Sequence, residues 1–353
     1  MITLISAVLV FGFLIFIHEF GHFITARLFK VTVNEFSIGM GPNLFSWRSK
    51  KSGTKYSVRA LPIGGYVSMV GEDGENAFED GSSGDPNGFD RKPAWQRFII
   101  TVAGASVNII FGFLAMFLLT AMVKIGGTTV YSFMPSESTG FDISTEESGL
   151  MIGDEIIAVN GKQVSIIDEL YYEVNRHGIE PIDLTVIRDG ETIVIPDVVF
   201  PCMESSGELL GMVDFVVYAK QKTLHNFLDY AFGKSFLMVR MVFEAIFDLI
   251  TGRYSLGAIS GPVGISSAIG EATRLGFPSL LNIVVMISIN LGFMNLLPIP
   301  ALDGGRMLTI LVEMVTKKRV PPKVEGLVNG IALILLVLLS LVVMVKDVIG
   351  LII

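Results

Sequence analysis

The sequence predicts a polytopic α-helical membrane protein with four transmembrane helices, a β-hairpin and a small α/β domain. Of its 353 residues, 51% are hydrophobic and only 17% are charged, and the mean hydropathy is +0.62. Four apolar runs along the chain each approach the ~20 residues that a helix needs to cross the hydrocarbon core of a bilayer. Composition and pattern together therefore favour an integral membrane protein over a soluble globular one.

Charge and cysteine content exclude two kinds of site. The formal net charge is −8 and the isoelectric point is near 5.1, so the chain lacks the basic face that neutralises phosphates, and we expect no nucleic-acid partner. Cys202 is the only cysteine. An internal disulfide and a multi-cysteine zinc site are thus excluded, and any metal ion must be held by histidine and carboxylate.

The first predicted transmembrane helix, residues 1–30, is apolar until it reaches three ionisable residues, His18, Glu19 and His22. A cleaved signal peptide is the alternative interpretation of this segment. It lacks the cationic amino-terminal region and the small-residue cleavage site of such a peptide. We therefore expect a retained membrane anchor.

Three further transmembrane helices are predicted at residues 96–123, 278–303 and 326–353. Within the segment 204–277, residues 224–250 are rich in Phe, Leu and Met but carry five charged residues. Each charge would cost about 2.5 to 3.5 kcal/mol at the bilayer centre. We therefore expect an amphipathic helix at the membrane interface, and not a fifth crossing.

The distribution of cations predicts the orientation. Arginines and lysines cluster at the membrane ends of the segments 31–95 and 304–325, which favours a cytosolic location for both loops. The amino terminus and the segment 124–277 are then extracytoplasmic.

Two segments between the spans have the pattern of β-structure. Residues 31–67 contain two strand-like stretches on either side of a turn-rich sequence at 49–54, which predicts a hairpin. Residues 124–203 predict a small α/β domain, in which alternating stretches flank the turn dipeptide Asp189-Gly190.

The first span carries the pattern His-Glu-x-x-His at residues 18–22. On a helix, His18 and His22 project from one face, where both imidazoles can bind a single zinc ion. Glu19 then lies beside the metal, placed to take a proton from a zinc-bound water whose pKa is lowered toward about 7. A chance grouping in a core helix is the alternative, but ionisable side chains inside a membrane span are costly and mark function by default.

A tetrahedral catalytic zinc site needs one more protein ligand. His177 lies in the α/β domain and His225 in the amphipathic segment, so both are poorly placed. Asp303 closes the third apolar run at a depth comparable to that of the two histidines, and it is the best carboxylate candidate. If spans one and three run in the same direction, one metal ion can reach all three side chains.

Pro298 and Pro300 are expected to break the third helix near this site, where irregular backbone can line a watery cavity. A glycine-capped helix end with a turn-forming Asp303 is the alternative reading of the same residues. Asn295 lies eight residues before Asp303, which corresponds to about two helical turns. Its amide could orient a substrate backbone or cap the broken helix.

The segments HEFGH at 18–22, NLLPIPALDGG at 295–305 and GLMIGD at 149–154 resemble the site-2 protease family of intramembrane zinc metalloproteases. The sequence looks most like the bacterial regulator-of-sigma-E-protease type with a single PDZ domain. The similarity extends to GMGP at 39–42, LPIGGYV at 61–67 and SGPVGI at 260–265. A departure is Gly104-Ala105, where family members often have Gly-Pro.

The resemblance implies a zinc endopeptidase with His18, His22 and Asp303 as ligands and Glu19 as the catalytic base. It also implies that Asn295 binds substrate. The hairpin at 31–67 would be membrane-reentrant and would hold substrate as an extended strand. Four glycines of its two motifs are the substrate-binding candidates there: Gly39, Gly41, Gly64 and Gly65.

The resemblance further implies an extracytoplasmic PDZ domain at 124–203 that binds a peptide, although a constitutive scaffold is an alternative role. The expected partners are the lipid bilayer and a single-pass membrane substrate, such as an anti-sigma factor or a signal-peptide remnant. The expected location is the bacterial inner membrane. Two alternatives stay open: a membrane-anchored protease of soluble peptides, and a non-catalytic scaffold or metal transporter.

Overall fold

The computed structural model describes residues 2–72, 84–134, 145–205, 208–253 and 260–352. The chain divides into two compact units, Met1–Leu114 with Ser260–Ile353, and Ala115–Ile259. Its helices are α1 (Ile2–Leu28), α2 (Ala94–Met122), α3 (Ile167–His177), α4 (Leu224–Thr251), α5 (Pro262–Leu275), α6 (Phe277–Leu296), α7 (Asp303–Thr316) and α8 (Pro322–Ile352).

The strands form three sheets. They are β1 (Val33–Arg48), β2 (Lys55–Met69), β3 (Ile125–Phe133), β4 (Glu155–Val159), β5 (Lys162–Gln163), β6 (Ile182–Arg188), β7 (Glu191–Val198), β8 (Cys202–Ser205), β9 (Glu208–Gly211) and β10 (Phe215–Lys220). β1 pairs with β2, and β8 pairs with β9. The remaining strands form one sheet in the order β10-β3-β4-β6-β7, with β5 paired to β4.

Within the described ranges, four helices are long and apolar enough to cross a membrane: α1, α2, α6 and α8. This number agrees with the four spans predicted from the sequence. In α8, large aliphatic side chains such as Leu335 and Leu338 are more than half exposed. Exposed aliphatic surface of this kind suits contact with lipid chains.

The third span ends earlier than the sequence suggested. α6 stops at Leu296, because Leu297 precedes Pro298 and a residue before proline is driven out of the α conformation. A turn occupies residues 297–302, and α7 then begins at Asp303. Asp303 therefore starts a new helix, and the rest of this helix lies in the segment 304–325 that we predicted as a loop. The predicted span 278–303 is a shorter helix followed by a turn.

The segment 204–277 contains a helix that the sequence reading did not identify. α5 begins at Pro262, a residue suited to the first helical turn. The backbone N–H of Gly264 donates to Asp347 Oδ2 of α8 at 2.9 Å. This carboxylate satisfies an otherwise free amide at the start of α5 and compensates the helix dipole there.

The predicted hairpin is present but strongly bent. Phe36 of β1 pairs with both Val67 and Tyr56 of β2, and Trp47 pairs with the other side of Tyr56. The two strands thus form four short segments, in the order 65–69, 33–38, 55–58 and 45–48. Segment 65–69 therefore lies at an edge of this curled sheet.

The α/β unit is organised around one apolar core. Leu170 of α3, Val186 of β6, Phe200 and Phe215 belong to this core and are almost fully buried. The predicted β6–β7 hairpin turns at Asp189-Gly190, where both residues have positive φ, 52° and 84°. These angles fit the type I′ turn that matches the twist of paired strands.

Helix α4 is the segment for which we predicted an amphipathic helix. It begins at Thr223, whose side chain accepts from the Asn226 N–H, and ends at Gly252 with φ 74°. Its charged face contacts α3 through three ion pairs: Lys234–Asp168, Arg240–Glu173 and Arg176–Asp248. Apolar side chains such as Phe236 and Phe247 on another side of the helix are exposed. The charged residues thus bind α3, and apolar side chains stay exposed.

We predict that Asp248→Ala loosens α4. Asp248 is 2% exposed and accepts from both terminal nitrogens of Arg176, at 2.5 and 2.8 Å. Its removal leaves a partly buried guanidinium without this partner, a loss that typically costs about 3 to 5 kcal/mol. Hydrogen exchange of the α4 amides should accelerate accordingly. Exposed Asp229 of the same helix supplies the control, and equal exchange in Asp248→Ala and Asp229→Ala would contradict the prediction.

Candidate metal centre

The structure brings the three predicted ligands together. Asp303 Oδ2 lies 3.1 Å from His18 Nε2 and 3.3 Å from His22 Nε2. The two Nε2 atoms are 3.2 Å apart. His18 and His22 are one helical turn apart on α1, and both side chains are buried. The three atoms therefore form a nearly equilateral triangle inside the protein.

This triangle fits a zinc ion. Ligands bound tetrahedrally at 2.0 to 2.1 Å are separated from one another by about 3.3 Å, which is close to all three measured distances. Asp303 Oδ2 is buried and has no hydrogen-bond partner among the described residues, so the carboxylate is available to a cation. Two imidazoles and one carboxylate are a donor set that catalytic zinc uses, with a fourth position left for water or substrate.

His22 is held by the backbone of α2. Its Nδ1 lies 2.8 Å from the Ile100 carbonyl oxygen, an acceptor that fixes the proton on Nδ1 and leaves Nε2 free for the metal. A Cβ on Gly104 would lie 2.3 Å from His22 Nε2, and a Cβ on Gly21 would lie 2.6 Å from the Ala103 carbonyl oxygen. Both glycines are thus required for α1 and α2 to approach closely.

Asp303 is positioned by the turn before it. Ala301 has φ 71°, and its N–H donates to Asn329 Oδ1 of α8 at 3.1 Å. A Cβ on Gly304 would lie 1.9 Å from the Leu297 carbonyl oxygen, and one on Gly305 would lie 2.6 Å from that of Ile299. The two glycines let the turn fold back against the start of α7, which directs Asp303 toward the histidines.

Glu19 lies at the same cavity as the ligands. A cavity of about 150 Å³ is lined by Glu19 and the three ligands, together with Tyr66, Val67, Met69, Glu72, Ile100, Thr101 and Arg306. The Glu19 carboxylate interacts with the Val67 backbone. Gly65 allows this approach, because its Cβ would lie 3.3 Å from Glu19 Cγ. The cavity can hold several water molecules beside a potential base.

Arg306 connects two walls of this cavity. Its guanidinium donates to Glu72 Oε1 at 2.5 Å and to the Glu72 carbonyl oxygen at 2.6 Å. Glu72 lies three residues after the end of β2, and Arg306 lies in the first turn of α7, three residues after Asp303. The carboxyl end of the hairpin is therefore tied to the helix that carries the third ligand.

A charged network holds Tyr66 beside the cavity. Burial opposes ionisation of Glu35, but hydrogen bonds from Ser57, Arg59, Tyr66 and Lys55 lower its pKa to about 2. Arg59 also donates to the Tyr66 hydroxyl. Glu35 is therefore ionised at neutral pH and orders the polar side of the curled sheet.

The residues predicted to bind substrate lie in different places relative to the cavity. Gly39, Gly41 and Gly64 have φ of 87°, 84° and 91° and lie where β1 and β2 bend, so they shape the sheet, whereas Gly65 lies next to Glu19. Asn295 is the penultimate residue of α6 and is not among the described residues that line the cavity. The predicted two helical turns between Asn295 and Asp303 are wrong, because the turn at 297–302 interrupts the helix.

Sequence reasoning missed the contribution of α2. Gly104, Ile100 and Asn108 all contact the histidines. A signal was present for Asn108, which is the only strongly polar residue of its apolar run, and for Gly104, which lies in the small-residue stretch Ala-Gly-Ala-Ser at 103–106. A backbone acceptor such as the Ile100 carbonyl leaves no trace in side-chain sequence.

Comparison with known proteins identifies the family. The profile of peptidase family M50 matches residues 6–339. The chain belongs to peptidase family M50. It is 37% identical over 349 residues to a Fusobacterium nucleatum protein named "Putative zinc metalloprotease", with 98% of each chain covered. It is 30% identical over 417 residues to the zinc metalloprotease RasP of Geobacillus kaustophilus, with 98% and 97% covered.

A third relative is the regulator of sigma-W protease RasP of Bacillus subtilis, 28% identical over 421 residues with 98% of each chain covered. The M50 profile and these names confirm the predicted class, a membrane zinc metalloprotease of the site-2 protease type, and the predicted zinc cofactor. This M50 peptidase thus has a donor triangle of the size that its cofactor requires.

We predict that Gly104→Ala weakens zinc binding by at least about tenfold, since a Cβ at this position would displace the His22 imidazole from the ligand triangle. Zinc affinity of the purified protein, measured by competition with a chromogenic chelator, tests this. Gly330→Ala is the matched control, because a Cβ there meets nothing within 4 Å. Wild-type affinity in Gly104→Ala would show that His22 has room to move without losing the metal.

Proposed function

We propose that this M50 peptidase is an intramembrane endopeptidase that hydrolyses a peptide bond of a single-pass membrane substrate. In this proposal His18, His22 and Asp303 are the zinc ligands and Glu19 is the catalytic base. The observation that carries it is the buried ligand triangle with Glu19 at the same cavity, on α1, which is a candidate span, and on α7, which follows the candidate span α6. Such a cluster of ionisable groups is costly in an apolar region unless it serves a function.

Each residue has a defined part in the reaction. Zinc, when bound, would polarise the scissile carbonyl and acidify a water molecule. Glu19 is positioned to accept the proton of the attacking water and to deliver it to the leaving amine. The Glu19 carboxylate lines the cavity and interacts with the Val67 backbone there. Tyr66 and Met69 line the wall on the side of the sheet.

The edge segment 65–69 supports a mode of substrate binding. It pairs with segment 33–38 on one side only, and residues 66, 67 and 69 line the cavity. A transmembrane helix hides its peptide bonds in its own hydrogen bonds, whereas a strand added to this edge would present them to the metal centre. We propose that the curled sheet is the reentrant substrate-binding element, with Gly39, Gly41 and Gly64 setting its bend and Gly65 admitting Glu19.

The substrate class and orientation rest on chemistry and charge. One relative is named for regulating sigma-W, which favours an anti-sigma factor as substrate here, with signal-peptide remnants as a second candidate. The cation-rich segments 31–95 and 304–325 favour a cytosolic side for the metal centre and an extracytoplasmic amino terminus, in the bacterial inner membrane. The segment 124–203 would act as a PDZ domain that binds a peptide, and Asn295 would contact substrate.

Glu19→Gln tests the proposed base. The amide cannot accept the proton, so we expect cleavage to fall by about 10²- to 10⁴-fold, the usual contribution of a general base, while zinc content stays unchanged. The assay is cleavage of a single-pass substrate by the detergent-solubilised full chain, with zinc measured in the same samples.

Wild-type cleavage by zinc-loaded Glu19→Gln would remove Glu19 from the mechanism. If the wild-type protein cuts soluble peptides but not the membrane-embedded substrate, the intramembrane assignment fails. Zinc flux into vesicles that persists in Glu19→Gln, with no cleavage by the wild type, would instead support a metal transporter.

A further inference from the structure

Asn108 of α2 is a buried polar residue next to His18. Its side chain is 0% exposed, and its Nδ2 lies 3.5 Å from His18 Nδ1. Its Oδ1 is buried and has no hydrogen-bond partner among the described residues. A buried amide oxygen without a partner is unfavourable, so an asparagine at this point of an apolar helix requires an explanation.

The tautomer of His18 supplies the explanation. Its Nε2 points to Asp303 Oδ2 and His22 Nε2, the corners of the ligand triangle. A metal there takes the Nε2 lone pair, so the proton of the neutral ring must reside on Nδ1. Nδ1–H is a donor, and the Asn108 Nδ2 opposite it is also a donor. In this orientation of the Asn108 amide, two donors, His18 Nδ1–H and Asn108 Nδ2–H, would face each other.

A half-turn of the carboxamide removes this conflict. The oxygen and nitrogen of an Asn side chain exchange places on rotation about its terminal bond, and the hydrogen-bond network decides their assignment. After rotation, Oδ1 occupies the position next to His18 Nδ1 and accepts a hydrogen bond from the Nδ1–H group. The previously unpartnered oxygen thereby gains a donor.

The Nδ1 atom of His22 also lies next to an oxygen acceptor on α2. Its Nδ1 lies 2.8 Å from the Ile100 carbonyl oxygen of α2. Ile100 and Asn108 are eight residues apart, about two turns of α2, and so offer acceptors to two histidines on the neighbouring helix. Ser288 Oγ donates to the backbone carbonyl of Asn108 at 2.8 Å, a contact that any residue at 108 would retain. The side chain therefore serves another purpose.

We infer that Asn108 is a positioning residue of the metal centre, whose amide oxygen accepts from His18 Nδ1–H and keeps Nε2 directed at zinc. The inference rests on the proposed ligand set. Partners of this kind fix the tautomer and the ring orientation of a ligand, and their loss typically weakens metal binding about 10- to 100-fold.

The test is zinc affinity of the purified full chain, measured by chelator competition for wild type, Asn108→Leu and Asn108→Asp. Leu has the same branching and the same number of side-chain heavy atoms but no acceptor, so affinity should fall about 10- to 100-fold. Asp offers a carboxylate oxygen to the same proton and should stay within about threefold of wild type. Asn282→Leu is the matched control, since the buried amide oxygen of Asn282 also has no hydrogen-bond partner within the described part of the chain, and this variant should bind zinc like wild type.

Two results would overturn the inference: wild-type affinity in Asn108→Leu, or equal losses in Asn108→Leu and Asn108→Asp. A residue that only fills space would tolerate Leu and reject a buried charge, which is the opposite order. If Asn108→Leu does not fold, the affinity of Asn108→Asp against wild type decides. His18→Ala distinguishes failure of the proposed ligand set from failure of the inference about Asn108. Unchanged zinc affinity in His18→Ala would refute the ligand set. Lost affinity in His18→Ala together with wild-type affinity in Asn108→Leu would refute only the role of Asn108.

Discussion

The close approach of α1 and α2 is the constraint on which the metal centre depends. A Cβ on Gly21 or Gly104 would lie within 2.6 Å of atoms of the other helix, so both positions must lack a side chain. Only at this separation can the Ile100 carbonyl reach His22 Nδ1 and fix its tautomer. In an apolar setting helices gain little by association through the hydrophobic effect, and small residues that admit close contact take over that part. The same contact that joins the two helices therefore orients a metal ligand.

The third ligand is positioned by a different device, an interrupted helix. Pro298 ends α6 through its effect on Leu297, and the chain turns within six residues to start α7 at Asp303. Gly304 and Gly305 permit the carbonyls of that turn to lie against α7. A continuous helix would have buried those carbonyls in its own ladder and carried Asp303 farther along its axis. Irregular backbone is tolerated at such depth when protein or a polar cavity surrounds it, and here the Asn329 amide and the cavity of the metal centre provide both.

Local chemistry could be predicted from the sequence, whereas the supporting contacts could not. The HEFGH pattern and helical periodicity are sufficient to expect His18 and His22 on one face with Glu19 beside the metal, and two prolines are sufficient to expect a break near Asp303. The double pairing of Phe36 with Val67 and Tyr56 was not predictable, because strand patterns report alternation but not where glycines bend a hairpin back on itself. The charges of α4 were correctly expected to keep it out of the candidate spans. The partners of these charges on α3 depend on tertiary packing, so the sequence predicted an amphipathic helix but not its ion pairs.

The meeting of Asp303 with the two histidines also bears on topology. His18 and His22 lie in the carboxyl half of α1, and Asp303 follows the carboxyl end of α6, so both spans must run in the same direction across the membrane for one ion to bind all three. An odd number of crossings must then lie between them, and α2 supplies one. A crossing by α4 would make the number even and move Asp303 to the opposite surface. The ion pairs between the charged face of α4 and α3 independently favour the conclusion that α4 does not cross the membrane. If it did, Arg240, Glu244 and Asp248 would lie in hydrocarbon, which is costly.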